Sequence, residues 1–203
     1  MTTYLPLILA SQSPRRAALL KQMGFGFEVI TAHLDESSVT IQNPVEHTQT
    51  LARMKAEASR QKVENGILIG ADTIVYHAGE ILGKPKTPAM AQDMLQRLSG
   101  HTHEVYTGFC LLSTEGKMVC DYEKTAVTFR SLSHWEIESY VLSGCPMDKA
   151  GAYGIQDQSG LFVDRIDGCF YNVMGFPLTR FYSALKQFWG ENVMAEMLKG
   201  GRS

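Results

Sequence analysis

The first motif of the chain joins an apolar run to two serines and two arginines. Residues 7–23 read LILASQSPRRAALLKQM, and Ser13 followed by proline is a typical helix start. Arg15 and Arg16 then fall in the first helical turn, where the helix dipole disfavours cations. Backbone amides, the hydroxyls of Ser11 and Ser13 and both guanidinium groups could together bind several phosphate oxygens. We interpret the junction as an anion site; an ordinary capped helix with solvated arginines is the alternative.

A carboxylate lies in the middle of a second apolar run. Residues 67–76 read ILIGADTIVY, which is typical of a buried strand, and Asp72 is the charged residue within it. A buried carboxylate is costly unless it is paired, hydrogen-bonded or bound to a metal, so we interpret Asp72 as functional. The alternative is that Asp72 ends the strand or bonds to a neighbouring loop. Gly70 and Ala71 predict open space beside it, through which a substrate could approach.

Three lysines could bind a polyphosphate, and a glutamine is a candidate for contact with a nucleobase. Lys84 is the strongest of the lysines because it stands between a glycine and a proline at the end of a predicted hairpin. Lys55 lies on a predicted helix, where lysines are usually solvated, and Lys149 precedes a glycine-rich loop that contains Gln156. Gln156 can both donate and accept hydrogen bonds, which suits recognition of a nucleobase edge. A glutamine in a loop is nevertheless more often a surface residue than a ligand contact.

Composition and charge exclude several classes of partner. The chain has 203 residues, 44% hydrophobic and 20% charged, which is typical of a globular protein with a substantial core. The net charge of −2 gives no overall basic field, so we expect a small anionic ligand and no nucleic acid. No apolar stretch approaches the roughly 20 residues that span a bilayer, and the N-terminus lacks a signal-peptide pattern. We therefore expect no membrane association and a cytoplasmic location.

The spacing of the cysteines and histidines does not indicate a metal-binding motif. The four cysteines are Cys110, Cys120, Cys145 and Cys169, and no two of them form a Cys-x-x-Cys pair. We therefore predict free thiols rather than a zinc site. His101 and His103 would share one face of a strand, but we assign these residues no role.

Strands and helices alternate in the segments that must position these residues. After the first strand and helix, we predict strands over 27–32, 67–76, 80–82, 103–113, 118–129 and 161–166, with helices over 44–63, 88–98, 133–142 and 177–189. A short helix or frayed end is expected beyond Gly190. The two hairpins favour an α/β or α+β mixed sheet flanked by helices over a doubly wound parallel sheet. No linker divides the chain, so we predict a single domain over 1–203.

Six motifs, taken together and in this order, resemble the Maf family of nucleoside triphosphate pyrophosphatases, also described as septum-formation inhibitors. They are LASQSPRR at 9–16, ARMKAEA at 52–58, IGADTIV at 69–75, LGKP at 82–85, LSGHTHEVYTG at 98–108 and PMDKAGAYGIQ at 146–156. The resemblance covers residues 7–188. It implies an elongated α/β fold shared with inosine triphosphate pyrophosphatases, with two lobes around a cleft, and a homodimer.

The resemblance also implies a role for each site residue. Asp72 matches the proton acceptor that activates water to attack the α-phosphorus, releasing pyrophosphate and a nucleoside monophosphate. Asp35 and its neighbour Glu36 match the acidic position that binds, with Asp72, a divalent cation such as Mg²⁺ or Mn²⁺. The positions that match phosphate contacts are Ser11, Ser13, Arg15, Arg16, Lys55 and Lys84, and those that match base preference are Arg15, Thr73 and Gln156.

The glutamine in GAYGIQ resembles the branch acting on dTTP and UTP rather than the branch acting on 7-methyl-GTP. Two other hypotheses remain open at this point. One is a non-catalytic nucleotide-binding regulator of cell division, against which the presence of Asp72, Lys84 and the arginines argues. The other is a phosphatase or nucleotidyltransferase that uses the same anion site and would form different products.

Overall fold

One mixed sheet organises the chain. The computed structural model describes residues 5–191 and 193–194. The strands are β1 (Leu7–Leu9), β2 (Phe27–Val29), β3 (Ile67–His77), β4 (Glu80–Leu82), β5 (Thr102–Ser113), β6 (Met118–Phe129) and β7 (Val163–Asp167). Their order is β2-β1-β3-β5-β6-β7, and β4 pairs with β3. Strand β1 is parallel to both of its neighbours, whereas the other pairs are antiparallel, so the predicted mixed sheet is confirmed.

Helices begin where the capping residues predict. They are α1 (Pro14–Gln22), α2 (Pro44–Arg60), α3 (Pro88–Leu98), α4 (His134–Leu142), α5 (Phe170–Val173) and α6 (Leu178–Trp189). The side chains of Ser13, Asn43 and Thr87 accept hydrogen bonds from first-turn amides of α1, α2 and α3, each of which starts with proline. Ser133 and Glu136 form the predicted capping box of α4.

Three predicted elements differ by two or more residues at one end. Strand β2 stops at Val29 instead of residue 32, and α2 stops at Arg60 instead of residue 63. Strand β7 starts only at Val163, because the Asp157 side chain caps a short 3₁₀ helix over Gln158–Phe162. The element expected beyond Gly190 lies mostly outside the described residues.

The two largest hydrophobic clusters of the described residues occupy different parts of the long strands β3 and β5. The first surrounds Ile69 and Phe109 and includes residues of α1 and α6. The second surrounds Val75 and Val105 and includes residues of α3 and α4. Residues 72–73 of β3 and 107–108 of β5 belong to neither cluster. The two clusters therefore correspond to the two predicted lobes, and the polar middle of the sheet lies between them.

Strand β3 has an open edge at this point. On one side, β1 pairs with residues 67–69 of β3 and β4 pairs with residues 75–77. Among the described strands none pairs with residues 70–74 on that side. Because successive side chains of a strand point to opposite faces, Asp72 and Thr73 reach this gap from the two faces of the sheet.

Helix α2 packs on the sheet at two glycines. A Cβ on Gly70 would lie 2.0 Å from the Ala52 carbonyl oxygen, and one on Gly108 would lie 2.5 Å from the Thr48 carbonyl carbon. The space predicted beside Gly70 is therefore filled by α2 rather than open to a substrate, which corrects the sequence prediction. The close approach places Lys55 of α2 against Asp72.

The cysteine prediction is wrong for one pair. Cys110 and Cys120 face each other in the β5–β6 register, with Cα atoms 4.1 Å apart, and form a disulfide. Cys145 and Cys169 are free, as predicted. The observed register explains the pairing, since each cysteine lies five residues from Glu115 at the centre of the hairpin. No helix in the described part of the chain is both long and apolar enough to cross a bilayer.

Candidate active site

A cleft opens at the free edge of β3, and most of the predicted site residues line it. The predicted residues in its walls are Ser13, Arg15, Arg16, Glu36, Lys55, Asp72, Thr73, Lys84 and Gln156, and Ser11 lines the adjoining part. The structure thus brings together side chains from α1, α2, β3, the β4 hairpin and the 149–156 loop. Asp35 is not among the lining residues, whereas its neighbour Glu36 is.

Lys55 joins two carboxylates at the floor of the cleft. Its Nζ donates to Asp72 Oδ1 at 2.7 Å and lies 3.1 Å from Glu36 Oε1. The Asp72 and Lys55 side chains are 12% and 17% exposed, whereas Glu36 is 51% exposed. Lys55 therefore provides the pairing that a buried carboxylate requires. The predicted solvated lysine on α2 is instead part of the site.

The donor set at this point suits a hard divalent cation. Asp72 and Glu36 converge on the same ammonium group, so their oxygens face one small region. In the described residues no group of three or more His, Cys, Asp or Glu side chains forms a complete metal site. Mg²⁺ typically binds through one or two carboxylates, with substrate phosphates and water as the remaining ligands. These two carboxylates fit a cation that binds together with a polyphosphate; the role of Asp35 stays a prediction.

The start of α1 is held by a buried arginine. Arg16 is 8% exposed, and its guanidinium donates to the Ser11 hydroxyl at 3.0 Å and to the Ala71 carbonyl at 2.9 Å. It also donates to the Gly175 carbonyl at 2.9 Å and to Thr73 Oγ1 at 3.0 Å. Burial lowers the pKa of Arg16, and the nearby Asp72 opposes that change. A guanidinium has five N–H donors, so little of Arg16 is left for a phosphate.

The Thr73 hydroxyl is also engaged within the protein. Besides Arg16 it contacts Thr107 Oγ1 at 3.0 Å and the Gly175 carbonyl at 3.3 Å. Thr73 lines the cleft, so its predicted part in base preference stays a prediction. The observed contacts tie β3 to β5 and to the segment after α5.

Arg15 and Lys84, two further cations that line the cleft, differ in their partners. Arg15 donates through Nη1 to Asp148 Oδ2 at 2.8 Å and through Nη2 to the Asp148 carbonyl at 3.2 Å. Lys84 is exposed, and no described residue forms a hydrogen bond or an ion pair with its ammonium group. Lys84 is therefore the cleft cation most readily available to an incoming anion.

The loop over residues 149–156 forms the far wall of the cleft. Its Gly151 amide donates to the Gly83 carbonyl at 3.1 Å, which ties the loop to the hairpin that carries Lys84. Ala152 is buried with a φ of +62°, a strained conformation for a residue with a Cβ. Gln156 is exposed at the end of the loop and lines the cleft.

A histidine without a predicted role supports this loop. His103 is 1% exposed, and its Nε2 lies 2.7 Å from the Tyr153 hydroxyl. Burial, with a smaller contribution from His77, lowers the pKa of His103 to about 3. Its Nδ1 is buried without a hydrogen-bond partner. The neutral ring thus packs under Tyr153, which lines the cleft just before Gln156.

Sequence reasoning missed Asp148 and misread Lys149. The Lys149 ammonium donates to Asp148 Oδ1 at 2.7 Å and to the Cys145 carbonyl, and lies 3.3 Å from Asp157 Oδ2. Lys149 is therefore held by three protein acceptors rather than facing a polyphosphate. The acidic neighbour in PMDK was a signal for this pairing, but nothing in the sequence connects Asp148 to Arg15.

Comparison with known sequences identifies the family. A family model described as "Maf-like protein" matches residues 6–188. The chain belongs to the Maf family. A dTTP/UTP pyrophosphatase from Clostridium perfringens (strain SM101 / Type A) is 46% identical to this Maf chain over 185 residues, which are 90% of the chain and 96% of the relative. One from Bacillus cytotoxicus, with the same name, is 48% identical over 181 residues, covering 89% of the chain and 94% of the relative.

Comparison with solved structures supports the fold. A HAM1 protein from Coxiella burnetii aligns with 91% of this Maf chain and 100% of its own length, with a TM-score of 0.53 and 15% sequence identity. The predicted α/β fold is thus confirmed.

Proposed function

We propose that this Maf protein hydrolyses dTTP and UTP to the nucleoside monophosphate and pyrophosphate. The observation that carries the proposal is the pairing of Asp72 with Lys55 and Glu36 at the open edge of β3, beside the start of α1. The two relatives described above are named dTTP/UTP pyrophosphatases, and this chain aligns with 96% and 94% of their lengths.

The proposed reaction takes place at the phosphate end of the cleft, which we define as Ser11, Ser13, Glu36, Lys55, Asp72 and Lys84. Lys84 and the amides of the first turn of α1 bind phosphate oxygens. Asp72 orients a water molecule and takes its proton as the water oxygen attacks the α-phosphorus. The bond from that phosphorus to the bridging oxygen breaks, and pyrophosphate leaves.

Asp72 and Glu36 would hold the divalent cation, Mg²⁺ or Mn²⁺. When bound, the cation neutralises phosphate charge and lowers the barrier to attack at phosphorus. Lys55 lies between both carboxylates and keeps them close together before substrate arrives. Because its ammonium carries one positive charge, it also limits the repulsion between Asp72 and Glu36.

Base recognition is proposed at the base end of the cleft, which we define as Arg15 and the 149–156 loop. Uracil and thymine present two carbonyl acceptors on either side of an N–H donor. The Gln156 amide can donate to one carbonyl and accept from that N–H, and Arg15 can donate to a carbonyl oxygen. Both side chains line the cleft.

A product assay over a panel of nucleoside triphosphates tests the proposal. We expect UTP and dTTP, with Mg²⁺ or Mn²⁺, to give UMP and dTMP by anion-exchange chromatography, in equal amounts with pyrophosphate. Orthophosphate should appear only after inorganic pyrophosphatase is added. Direct release of orthophosphate would indicate a phosphatase, and nucleotide binding without any product would indicate a regulator; either result contradicts the proposal.

A further inference from the structure

A chain of ion pairs runs through the base end of the cleft, from Arg15 to Asp157. Arg15, on the first turn of α1, binds Asp148 in the 3₁₀ helix Cys145–Asp148. Asp148 binds Lys149, and Lys149 lies 3.3 Å from Asp157. Asp157 accepts hydrogen bonds from the Tyr140 hydroxyl and the Ser159 amide. Arg15 is thereby linked to both sides of the loop that presents Gln156.

The Arg15–Asp148 contact fixes the orientation of the guanidinium group. Arg15 uses Nη1 for the carboxylate and Nη2 for the main-chain carbonyl of the same residue. Because the guanidinium group is rigid and planar, two acceptors are enough to fix the orientation of its plane. Its remaining N–H groups stay free to donate into the cleft.

Lys149 holds Asp148 in the position that Arg15 needs. Its side chain is only 12% exposed and its ammonium contacts three acceptors, whereas the Asp148 side chain is 58% exposed. An exposed ion pair alone is weak, because solvent screens it and two side chains lose freedom. Partial burial raises the pKa of Asp148, but hydrogen bonds from Lys149 and Arg15 outweigh it and keep that pKa below the ordinary value.

We propose that Asp148 is a specificity-determining residue, which acts by holding Arg15 at the base end of the cleft. This inference rests on the proposed function. A free guanidinium beside a triphosphate would bind phosphate oxygens, and that contact would favour every nucleotide alike. Held by Asp148, Arg15 donates to a base carbonyl instead, which discriminates between bases.

UTP and CTP form the matched pair of ligands for this inference. They share the ribose and the triphosphate. They differ at C4, where uracil has a carbonyl acceptor and cytosine an amino donor, and at N3, which carries a hydrogen only in uracil. A donor placed by Asp148 therefore favours UTP. Loss of that placement should change the ratio of the two nucleotides more than it changes the turnover of either.

The test measures kcat and KM for UTP and CTP in Asp148→Asn. We expect the UTP:CTP ratio of kcat/KM to fall about tenfold, mainly through a higher KM for UTP, with kcat within about threefold. Asp148→Glu, which keeps the charge, should restore part of the ratio. Asp164→Asn is the matched control, since Asp164 is an exposed carboxylate on β7 with no part in the cleft. It should leave the ratio unchanged.

A double variant shows whether Asp148 acts through Arg15. In an Arg15→Ala background, Asp148→Asn should lower the ratio no further. A further fall in that background, or an equal loss for UTP and CTP in the single variant, would overturn the inference. The ratio of Kd values for UTP and CTP, from calorimetry, gives the same comparison without hydrolysis. Failure of the proposed reaction is therefore distinguishable from failure of this role for Asp148.

Discussion

The phosphate end and the base end of the cleft are built in different ways. At the phosphate end, the paired side chains of Asp72 and Lys55 lie on β3 and α2, and Ser13 caps α1. The other three residues of this end lie outside the strands and α-helices. At the base end, Gln156 follows short 3₁₀ turns, and Ala152 is held at a positive φ. The first arrangement is fixed by backbone hydrogen bonds, whereas the second depends on side-chain contacts from distant parts of the chain.

This difference separates chemistry from selectivity. Regular elements hold reacting groups with little freedom, which suits a step that depends on exact placement. A loop held by side chains can accommodate different residues without disturbing the sheet. We therefore expect changes at the phosphate end to affect all nucleotides equally, and changes at the base end to affect the choice between them.

The largest effect expected is that of Asp72→Asn. The amide cannot accept the proton of the attacking water, so kcat for UTP should fall about 10³-fold, within the range typical of general bases. The residual activity should keep the wild-type UTP:CTP ratio, because the base end is untouched. Steady-state kinetics and the thermal midpoint are the measurements. Near-normal turnover, or an altered base preference, would contradict the separation of the two ends.

Arg16→Ala and Arg15→Ala should separate stability from base preference. Removing Arg16 leaves the Ala71 carbonyl without this donor and the Gly175 carbonyl with only the Thr73 hydroxyl, so we expect a loss of about 3 kcal/mol in the free energy of unfolding. Arg15 is 28% exposed and its ion pair is near the surface, so its removal should change stability by less than about 1 kcal/mol. Urea denaturation measures both.

The same two variants differ in kinetics. Arg15→Ala should lower the UTP:CTP ratio, whereas Arg16→Ala should weaken turnover of both nucleotides together as the start of α1 loosens. The adjacent arginines are matched in charge and position, so each serves as control for the other. Equal stability losses would mean that the contacts of Arg16 do not hold α1 to β3.

The residues of the phosphate end could be predicted because each of them stands in a recognisable local motif. Serine and proline caps define α1, and a carboxylate in an apolar strand marks Asp72. The base end could not be predicted in the same way, since Arg15 and Asp148 are 133 residues apart. Arg16 similarly binds Gly175, 159 residues away, so its part in holding the fold could not be predicted, and its contact with phosphate stays a prediction. Such partners follow from sheet order, not from spacing.

The base end should lose stability in mild acid. The pKa of His103 is about 3 in the folded chain and about 6.5 when unfolded, so the unfolded state binds an extra proton between these values. The stability contribution is present above pH 6.5 and is lost as the pH falls. We expect a decrease of about 2 kcal/mol in the free energy of unfolding between pH 7 and pH 5.

Urea denaturation at pH 7, 6 and 5 measures this decrease. His103→Gln removes the titrating ring and should flatten the profile by about 2 kcal/mol relative to wild type. His134→Gln, at an exposed histidine on α4, is the control and should retain the wild-type slope. Identical profiles for His103→Gln and wild type would exclude His103 as the source.

Lys84→Met tests whether the hairpin belongs to the phosphate end. A charge-assisted contact with phosphate is lost, so kcat/KM should fall about tenfold for UTP and CTP alike. Lys86→Met is the matched control, because Lys86 is an exposed lysine two residues away and does not line the cleft. If kcat/KM fell for UTP but not for CTP, Lys84 would contribute to base recognition and would not belong to the phosphate end.

The smallest expected effect is that of Gln156→Glu, which tests directly whether Gln156 contacts the base. The carboxylate can still accept from a base but cannot donate, so one of the two contacts to uracil is lost. We expect the UTP:CTP ratio to fall about fivefold, as the loss of one partly exposed hydrogen bond implies. The thermal midpoint should change little, because Gln156 is exposed.

Gln156→Met is the control, since Gln156→Glu also adds a negative charge near the substrate. Methionine lacks both the donor and the charge, so it distinguishes loss of the donor from charge repulsion. A fall in the ratio with Glu but not with Met would assign the effect to charge and remove Gln156 from base recognition.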